Sequence, residues 1–336
     1  MGLVFTPVFR IVANDKDITD KISERLIELS YSDESGDESD MLEIHLSDAD
    51  PKRPINIPET GAELKLSLGY KQTTIRDMGT FVVDEVELSG WPGEMTIRAR
   101  AATFTDSKSG KKTMQSQKTR SWAKGTKLSD IAKKIASEQK LKPAISASMS
   151  NIVLPHVDQT DESDLNLLIR LARKYDGVVK VGNGKLILAK HAESKTTSGE
   201  KLPTVEITAN MVSSWRWNKS KKNEAGTVTA FWHDVGKAKR QSVTVGSGDP
   251  EVKLKQTYAN ESIAKAAANS DLNKRARSEV KFSFTMPGDP NVKAEAKTNA
   301  LHFREGVDGE WLNKTVRHRF DPSSGYSTEV DCEKPS

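Results

Sequence analysis

The chain has 336 residues, of which 35% are hydrophobic and 29% are charged, and its mean hydropathy is −0.59. This length allows two or three domains with a sizeable core, while the charged surface suits an elongated or multi-lobed protein. A formal charge of +4 is too nearly balanced to indicate nucleic-acid binding, the single cysteine excludes an intrachain disulfide, and no apolar run approaches the ~18 residues of a transmembrane helix.

The first hundred residues alternate between apolar and polar side chains with a period of two, which is typical of half-buried β-strands. The clearest runs are Leu42, Ile44 and Leu46, then Leu64, Leu66 and Leu68, then Met95, Ile97 and Ala99. Turn signals divide the region into about six or seven such runs, which predicts an antiparallel barrel or sandwich over residues 1–104. The acidic segment 33–40 is predicted to be a solvated loop.

A polar and basic stretch follows the first β region. Residues 105–121 are predicted to form an exposed linker or loop, because Ser, Thr, Gly and Lys dominate there. Residues 122–195 then form a small α/β middle region. Its first helix is predicted to start with Thr126 as the cap and to run to about Lys140.

The second helix of the middle region has a clear beginning and end in the sequence. Hydroxyl and carboxylate side chains at 160–164 can accept hydrogen bonds from the free N–H groups of a helix start. An apolar face follows from Leu165 to Ala172, and Gly177 is predicted to end the helix in a left-handed conformation. Strands at 178–181 and 185–189 are predicted to form a hairpin across Gly182-Asn183-Gly184.

The last third of the chain returns to strand patterns. Strands are predicted at 204–208, 212–217 and 226–233, and Asn260 is predicted to cap a helix that runs to about Arg277. Alternation resumes with Phe282 and Phe284 and continues to the C-terminal end. Residues 203–334 are therefore predicted to form a second β-barrel, with an inserted helix at about 260–277.

The sequence contains no recognisable catalytic constellation. The six histidines lack metal-ligand spacing, there is no Gly-x-Ser-x-Gly motif, and the glycine-rich segments do not fit a phosphate-binding loop. We predict no catalytic, cofactor-binding or metal-binding residue. The candidate partner contacts are basic residues in the two clusters at 108–120 and 219–222, namely Lys108, Lys111, Lys112, Arg120, Lys219, Lys221 and Lys222.

Several segments resemble the late control gene D proteins of contractile-tailed phages and, more distantly, the hub module of the valine-glycine repeat spike proteins of type VI secretion. The resemblance lies in Gln159-Thr160-Asp161, Ser163-Asp164-Leu165, 168–172, Gly177, 186–189, Pro287-Gly288-Asp289-Pro290, Val307-Asp308-Gly309 and Trp311. It implies an α+β, mainly β fold, in which two tube-like antiparallel β-barrels flank the small α/β middle region.

The resemblance also implies a function. Such a protein is a non-enzymatic baseplate hub, which forms a homotrimer and adapts a sixfold tail tube to a threefold spike. Its implied partners are the central spike, the tail tube, baseplate wedge proteins and the tape-measure protein. We expect it in the tail baseplate of the virion, and in the host cytoplasm during assembly, with no insertion into a membrane.

Two other functions are compatible with parts of the sequence. The segment that contains the first helix of the middle region is compatible with a small peptidoglycan-binding module, which would suit a wall-binding or wall-degrading tail component. Trp215 and Trp217 alternate on a predicted strand just before the basic cluster at 219–222, which would suit a nucleic-acid-binding late regulator. Packing inside a barrel or across a subunit boundary explains the two indoles as well.

Overall fold

A computed structural model describes residues 5–36, 38–101, 114, 116–182, 184–194, 200–220 and 226–335. Strands hold 51% of the residues and helices hold 16%, which confirms the mainly β class. Within the described ranges, no helix is both long and apolar enough to cross a bilayer.

The first β region is built around one antiparallel sheet. Its elements are β1 (Pro7–Ala13), β2 (Lys16–Asp17), α1 (Thr19–Ser23), β3 (Leu26–Glu34), β4 (Met41–Ser47), β5 (Glu63–Tyr70), β6 (Arg76–Ser89) and β7 (Glu94–Ala101). The strands lie in the order β3-β4-β7-β6-β5-β1-β2. The alternating apolar residues of the sequence pack together on one face of this sheet, as predicted.

The middle region has its own core between helices and short strands. Its elements are β8 (Gln117–Trp122), α2 (Leu128–Glu138), β9 (Lys142–Ile145), α3 (Ala147–Ser150), β10 (Val157–Ser163), α4 (Asp164–Arg173), β11 (Gly177–Gly182) and β12 (Lys185–Lys190). Strands β8 and β10 pair with each other, while β11, β12 and β9 form a three-stranded sheet. Leu and Ile side chains of α2 and α4 form most of the core of the middle region, together with residues of β11 and β12.

The second β region returns to the large sheet. Its elements are β13 (Val205–Thr208), β14 (Ser214–Lys219), β15 (Thr227–Asp234), β16 (Lys239–Gly246), β17 (Glu251–Tyr258), α5 (Glu261–Glu279), β18 (Val280–Pro287), β19 (Lys297–Leu301), β20 (Gly309–Asp321) and β21 (Gly325–Glu333). Phe282, Phe284 and Trp311 lie at the centre of its core.

The two β regions are joined into one open sheet of 13 strands, and this differs from the two closed barrels predicted from the sequence. The physical reason is the length of β20, whose first residues pair with β19 and whose residues Thr315 to Phe320 pair with β3. Tyr31 and His318, opposite each other at the join, have stacked rings. Among the described strands, no pairing closes either region into a ring.

The insertion in the second β region is larger than the single helix predicted. Strands β15, β16 and β17 form a separate three-stranded sheet, and α5 packs against it. Strands β16 and β17 were missed although Val243 and Val245 in β16, and Val252 and Leu254 in β17, alternate with polar residues. Helix α5 does begin where the sequence indicates, since Asn260 Oδ1 accepts a hydrogen bond from Ile263 N.

Three local predictions in the middle region have different outcomes. Ser163 caps α4 and accepts a hydrogen bond from Asn166 N, which confirms the predicted helix start. The cap of α2 is Lys127, while the Thr126 hydroxyl donates to Ala123 O, so the predicted cap is wrong. Asp176, and not Gly177, takes the left-handed conformation after α4, with φ of 56°.

Gly177 serves close packing instead of a turn. A Cβ atom at this position would collide with the Met149 methyl group and lie 3.0 Å from Ala172 O. Glycine therefore gives β11 room to pass close to α3 and α4, and a larger residue would make Met149 move.

Candidate functional site

Two groups of largely buried charged residues lie where the middle region meets the two β regions. Strand β11 places Val179 and Val181 in the core of the middle region, so Lys180 between them points away from that core. It points toward the connection between β3 and β4. We call Lys180 with Asp33 and Asp40 the Lys180 cluster.

The Lys180 ammonium group makes three contacts with the first β region. Its Nζ lies 2.7 Å from Asp40 Oδ1, 3.3 Å from Asp33 Oδ1 and 2.8 Å from the carbonyl oxygen of Glu34. All three side chains are largely buried. The two ends of segment 33–40, Asp33 and Asp40, are therefore not solvated as predicted, because they share one buried ammonium group, whereas Glu38 and Ser39 are exposed.

The electrostatics of this cluster follow from sharing one cation between two acids. Burial and the neighbouring charge of Asp33 raise the pKa of Asp40 to about 6, although Lys180 acts in the opposite direction. Burial opposes the charge of Lys180, but Asp33 and Asp40 together hold its pKa above the ordinary value. The ammonium group is therefore charged in the folded protein at neutral pH.

The Lys180 cluster also reaches the second β region. Asp33 Oδ2 accepts a hydrogen bond of 3.0 Å from the backbone N–H of Ala294, and the Thr315 hydroxyl donates to Glu34 Oε2 at 2.7 Å. One carboxylate of the first β region thus contacts both the middle region and the second β region.

A second charged group, the His191 cluster, lies next to the first. It consists of Asp176 and His191 from the middle region and Arg277, Glu295 and Glu333 from the second β region. His191 Nδ1 lies 3.0 Å from Glu295 Oε1, and its Nε2 lies 3.2 Å from Glu333 Oε1. Because Glu295 follows Ala294 directly in the chain, the two clusters are continuous.

Arg277 is the most buried charge of the His191 cluster, with 4% of its side chain exposed. Its guanidinium group binds Asp176 with two hydrogen bonds, of 3.0 Å and 2.6 Å, and lies 3.4 Å from Glu333 Oε1. Asn273 Nδ2 also donates to Asp176 at 3.2 Å. Helix α5 is therefore attached to the turn that follows α4 by a bidentate contact.

The pKa values in this cluster favour its ion pairs. Burial opposes a charge on His191, but Glu295 and Glu333 raise its pKa to about 9, while Arg277 acts against them. Burial likewise opposes the charge of Asp176, but Arg277 holds its pKa below the ordinary value. Both side chains are charged at neutral pH, so the cluster contributes ionic contacts between the middle region and the second β region.

The geometry of the two clusters is suited to holding the middle region against the two β regions. Every charged group has its partner inside the chain, and the partners come from three different parts of the sequence.

A cavity of about 220 Å³ opens in the first β region, and its lining is mostly apolar, with Glu59 as its charged residue. Among the residues that the structure describes, no group of three His, Cys, Asp or Glu side chains converges as metal ligands would.

Of the seven predicted partner contacts, the structure describes Arg120 and Lys219. Arg120 lies in an internal network, where it pairs with Glu138 at 2.8 Å and with the fully buried Asp164 at 2.7 Å, and it lies over the Trp122 ring. Lys219 is half exposed and pairs with Glu279 at 3.2 Å. The other predicted residues, Lys108, Lys111, Lys112, Lys221 and Lys222, lie outside the described residues.

Neither cluster was predicted from the sequence. Lys180 carried a usable signal, because it is a lone charge inside the apolar run Val178-Val179-Lys180-Val181. Its partners lie about 140 residues earlier in the chain. Such a separation gives no local pattern to read.

Comparison with known proteins places the chain in a family. The model of the phage tail baseplate hub (GPD) family matches residues 82–324. The chain belongs to this family. It is 30% identical to a probable baseplate hub protein of Escherichia phage 186. The alignment extends over 375 positions and covers 99% of this chain and 94% of that protein. The resemblance found in the sequence is thereby confirmed.

Solved structures share the fold of this baseplate hub family member. The 43 kDa tail protein of prophage MuSo2 from Shewanella oneidensis matches with a TM-score of 0.72 and 14% identity, over 98% of this chain and 99% of that one. An E. coli component of the type VI secretion system, described as similar to the T4 bacteriophage tail proteins gp27 and gp5, matches with a TM-score of 0.56 and 9% identity. That match covers 93% of this chain and 74% of the secretion protein.

Proposed function

We propose that this chain is a structural, non-enzymatic hub at the base of a contractile phage tail or tailocin. It acts as a homotrimer and adapts the sixfold tail tube to the threefold spike. Its place is the tail baseplate of the virion, and it is assembled in the host cytoplasm. Family membership supports the hub function, and the sheet topology supports the symmetry.

The observation that carries the proposal is the division of the large sheet into two comparable parts. The first β region contributes six main strands with the short β2, and the second contributes β13, β14, β18, β19, β20 and β21. Both parts have their core on the same face of the sheet, since Tyr31 and His318 face each other across the join. Three chains therefore present six such parts, which is the number that a sixfold tube requires.

In this proposal, residues 1–104 and 203–334 face the tail tube, and residues 122–195 face the spike. The Lys180 and His191 clusters support this division, because they fix the middle region to both β regions. A hub that must stay intact during sheath contraction needs such fixed attachments. Baseplate wedge and tape-measure proteins are further partners. The candidate contacts for all of these partners remain Lys108, Lys111, Lys112, Arg120, Lys219, Lys221 and Lys222.

The experiment that tests the hub function is deletion of the gene in the strain that produces the particle. We expect electron microscopy to show no complete tails, and expression of the protein from a plasmid to restore them. Complete, contractile tails in the deletion strain would contradict the proposal.

An assay for peptidoglycan hydrolysis tests the non-enzymatic part separately. We expect the pure protein to release no fragments from cell walls. Turnover that is abolished by the change of a single carboxylate would show that the chain is an enzyme.

A further inference from the structure

The second β region ends in a strand whose outer edge is unpaired among the described residues. Strand β14 is the last strand of the 13-stranded sheet, and all six of its residues are exposed. Its inner edge pairs with β18, where Trp215 lies opposite Phe284 and Trp217 lies opposite Phe282. The two indoles are thus on the core face of the sheet, yet they are 42% and 37% exposed.

The first β region has a matching unpaired segment. Strand β6 pairs with β5 only as far as Val82, while its pairing with β7 continues to Ser89. Residues 84–89 therefore have one edge without a partner strand among the described residues. Leu88 lies opposite the buried Met95, so it faces the core side, but it is 52% exposed.

The two free edges are complementary in charge. On the outer face, the β6 segment carries Glu85 and Glu87, and β14 carries Arg216 between its two tryptophans. Arg98 pairs with both glutamates, but it also pairs with Glu43, and the neighbouring Asp84 pairs with Arg100. With the neighbouring Glu94, this part of the outer face holds five acids (Glu43, Asp84, Glu85, Glu87 and Glu94) and two arginines (Arg98 and Arg100), so an excess of negative charge remains.

The free edges are also complementary in polarity. Core-side positions hold Val86 and Leu88 on one edge and Trp215 and Trp217 on the other. Addition of one edge to the other would bring the apolar residues together on one face and the opposite charges together on the other face. Because the two edges lie at different places on the same chain, they meet between copies in a head-to-tail arrangement. Such an arrangement forms a ring when the rotation between copies closes, as it does in the proposed homotrimer.

We propose that strand β14 of one copy of this chain adds to residues 84–89 of β6 in a second copy. The occupant of the free edge is then a second copy of the same chain, and the sheet continues from one subunit to the next. This removes two exposed edges per chain, each of which would otherwise be open to non-specific strand pairing. The inference rests on the proposed homotrimer and names the surface that holds it together.

A charge-reversal series on the full chain tests the proposal. We expect Arg216→Glu to weaken self-association about tenfold or more, because it places like charges across the interface. The variant Glu85→Arg/Glu87→Arg should do the same. Combination of all three changes should restore association to within about threefold of the wild type. Lys255→Glu is the matched control, since it reverses an exposed cation on a strand of the separate sheet.

Disulfide cross-linking tests the same contact without charge reversal, should a charge-reversed variant fail to fold. We expect oxidised Leu88→Cys/Trp217→Cys or Leu88→Cys/Trp215→Cys to form covalent dimers and trimers, while Leu88→Cys/Lys255→Cys does not. The native Cys332 is buried and does not compete.

The outcomes separate this inference from the proposed function. A trimer that survives all charge reversals and gives no cross-link overturns the β14–β6 contact but leaves the homotrimeric hub in place. A reversal that abolishes binding of the spike or the tube protein and leaves the trimer intact assigns the edge to another partner and overturns the inference. A wild-type chain that never self-associates, even with the spike present, contradicts both.

Discussion

Lys180 donates a hydrogen bond from Nζ to Asp40 Oδ1 at 2.7 Å, across 140 positions of the chain. This contact joins a strand of the middle region to the connection between β3 and β4. Because Asp33 also accepts a hydrogen bond from the backbone N–H of Ala294, all three parts of the molecule meet at the Lys180 cluster. We therefore expect the Lys180 cluster to determine how firmly the middle region is held.

Replacement of Lys180 by Met should lower the free energy of unfolding by about 3 kcal/mol or more, because it leaves two buried carboxylates without their cation. Urea titration of the variant and the wild type measures the difference. Lys185→Met is the matched control, since Lys185 lies on the adjacent strand of the same hairpin but is exposed. Equal losses in the two variants would show that the cluster has no special part in stability.

The His191 cluster predicts a dependence of stability on pH. The pKa of His191 in the folded protein is about 9, above its ordinary value of 6.5, so folding favours the protonated ring. Its contribution is fully present below pH 6.5 and is lost as the pH rises through 9. The total is up to about 3 kcal/mol.

Unfolding titrations between pH 6 and pH 10 measure this contribution. His191→Gln should flatten the decrease in stability over that range, because it removes the ring whose protonated form the folded protein favours. His156→Gln, which changes an exposed histidine paired with Asp158, should keep the wild-type profile. The interpretation fails if both variants show the same decrease as the wild type.

Gly177 and Gly182, the two ends of β11, offer a matched pair of substitutions. Gly177→Ala should destabilise the protein by about 1–3 kcal/mol, because the new methyl group would collide with Met149 and crowd Ala172. Gly182→Ala should have little effect, since no atom lies within 4 Å of its Cβ position. Thermal unfolding of both variants tests this, and similar melting temperatures would contradict the packing argument.

The cap of α5 gives a smaller effect. Asn260→Ala removes the acceptor of the Ile263 N–H group and should cost about 1 kcal/mol. Asn260→Asp keeps an acceptor and should retain most of the stability. In Asn260→Ala, local opening should increase in α5 and in the three-stranded sheet β15–β17 that it packs against. Hydrogen exchange of the α5 amides measures this opening. Faster exchange in both variants alike would speak against the cap.

Features that depend only on residues close together in the sequence could be predicted. Asn260 was recognisable as a helix cap, and segment 160–164 as a helix start, because a cap needs only an acceptor side chain before an apolar periodicity. The structure identifies Ser163 as the cap within that segment. Phe282 and Phe284 were recognisable as strand residues of the core because alternation is local. The family resemblance rested on short segments of this kind, and it was confirmed.

Features that depend on distant pairing could not be predicted. The join between β3 and β20 brings Tyr31 to His318, and nothing near either residue indicates the other. This pairing is the reason that one open sheet forms where two closed barrels were expected. The left-handed turn was assigned to Gly177 by its residue type, whereas tertiary packing requires a glycine there for space and leaves the turn to Asp176.

The central claim is that three copies of one chain form a sixfold arrangement of β regions above a threefold spike. A cryo-electron microscopy reconstruction of the chain in complex with its spike protein, calculated without imposed symmetry, tests it most directly. The account predicts three copies, each of 37.1 kDa, with six β regions in one ring. A ring of six whole chains, or a single chain bound to the spike, would contradict it.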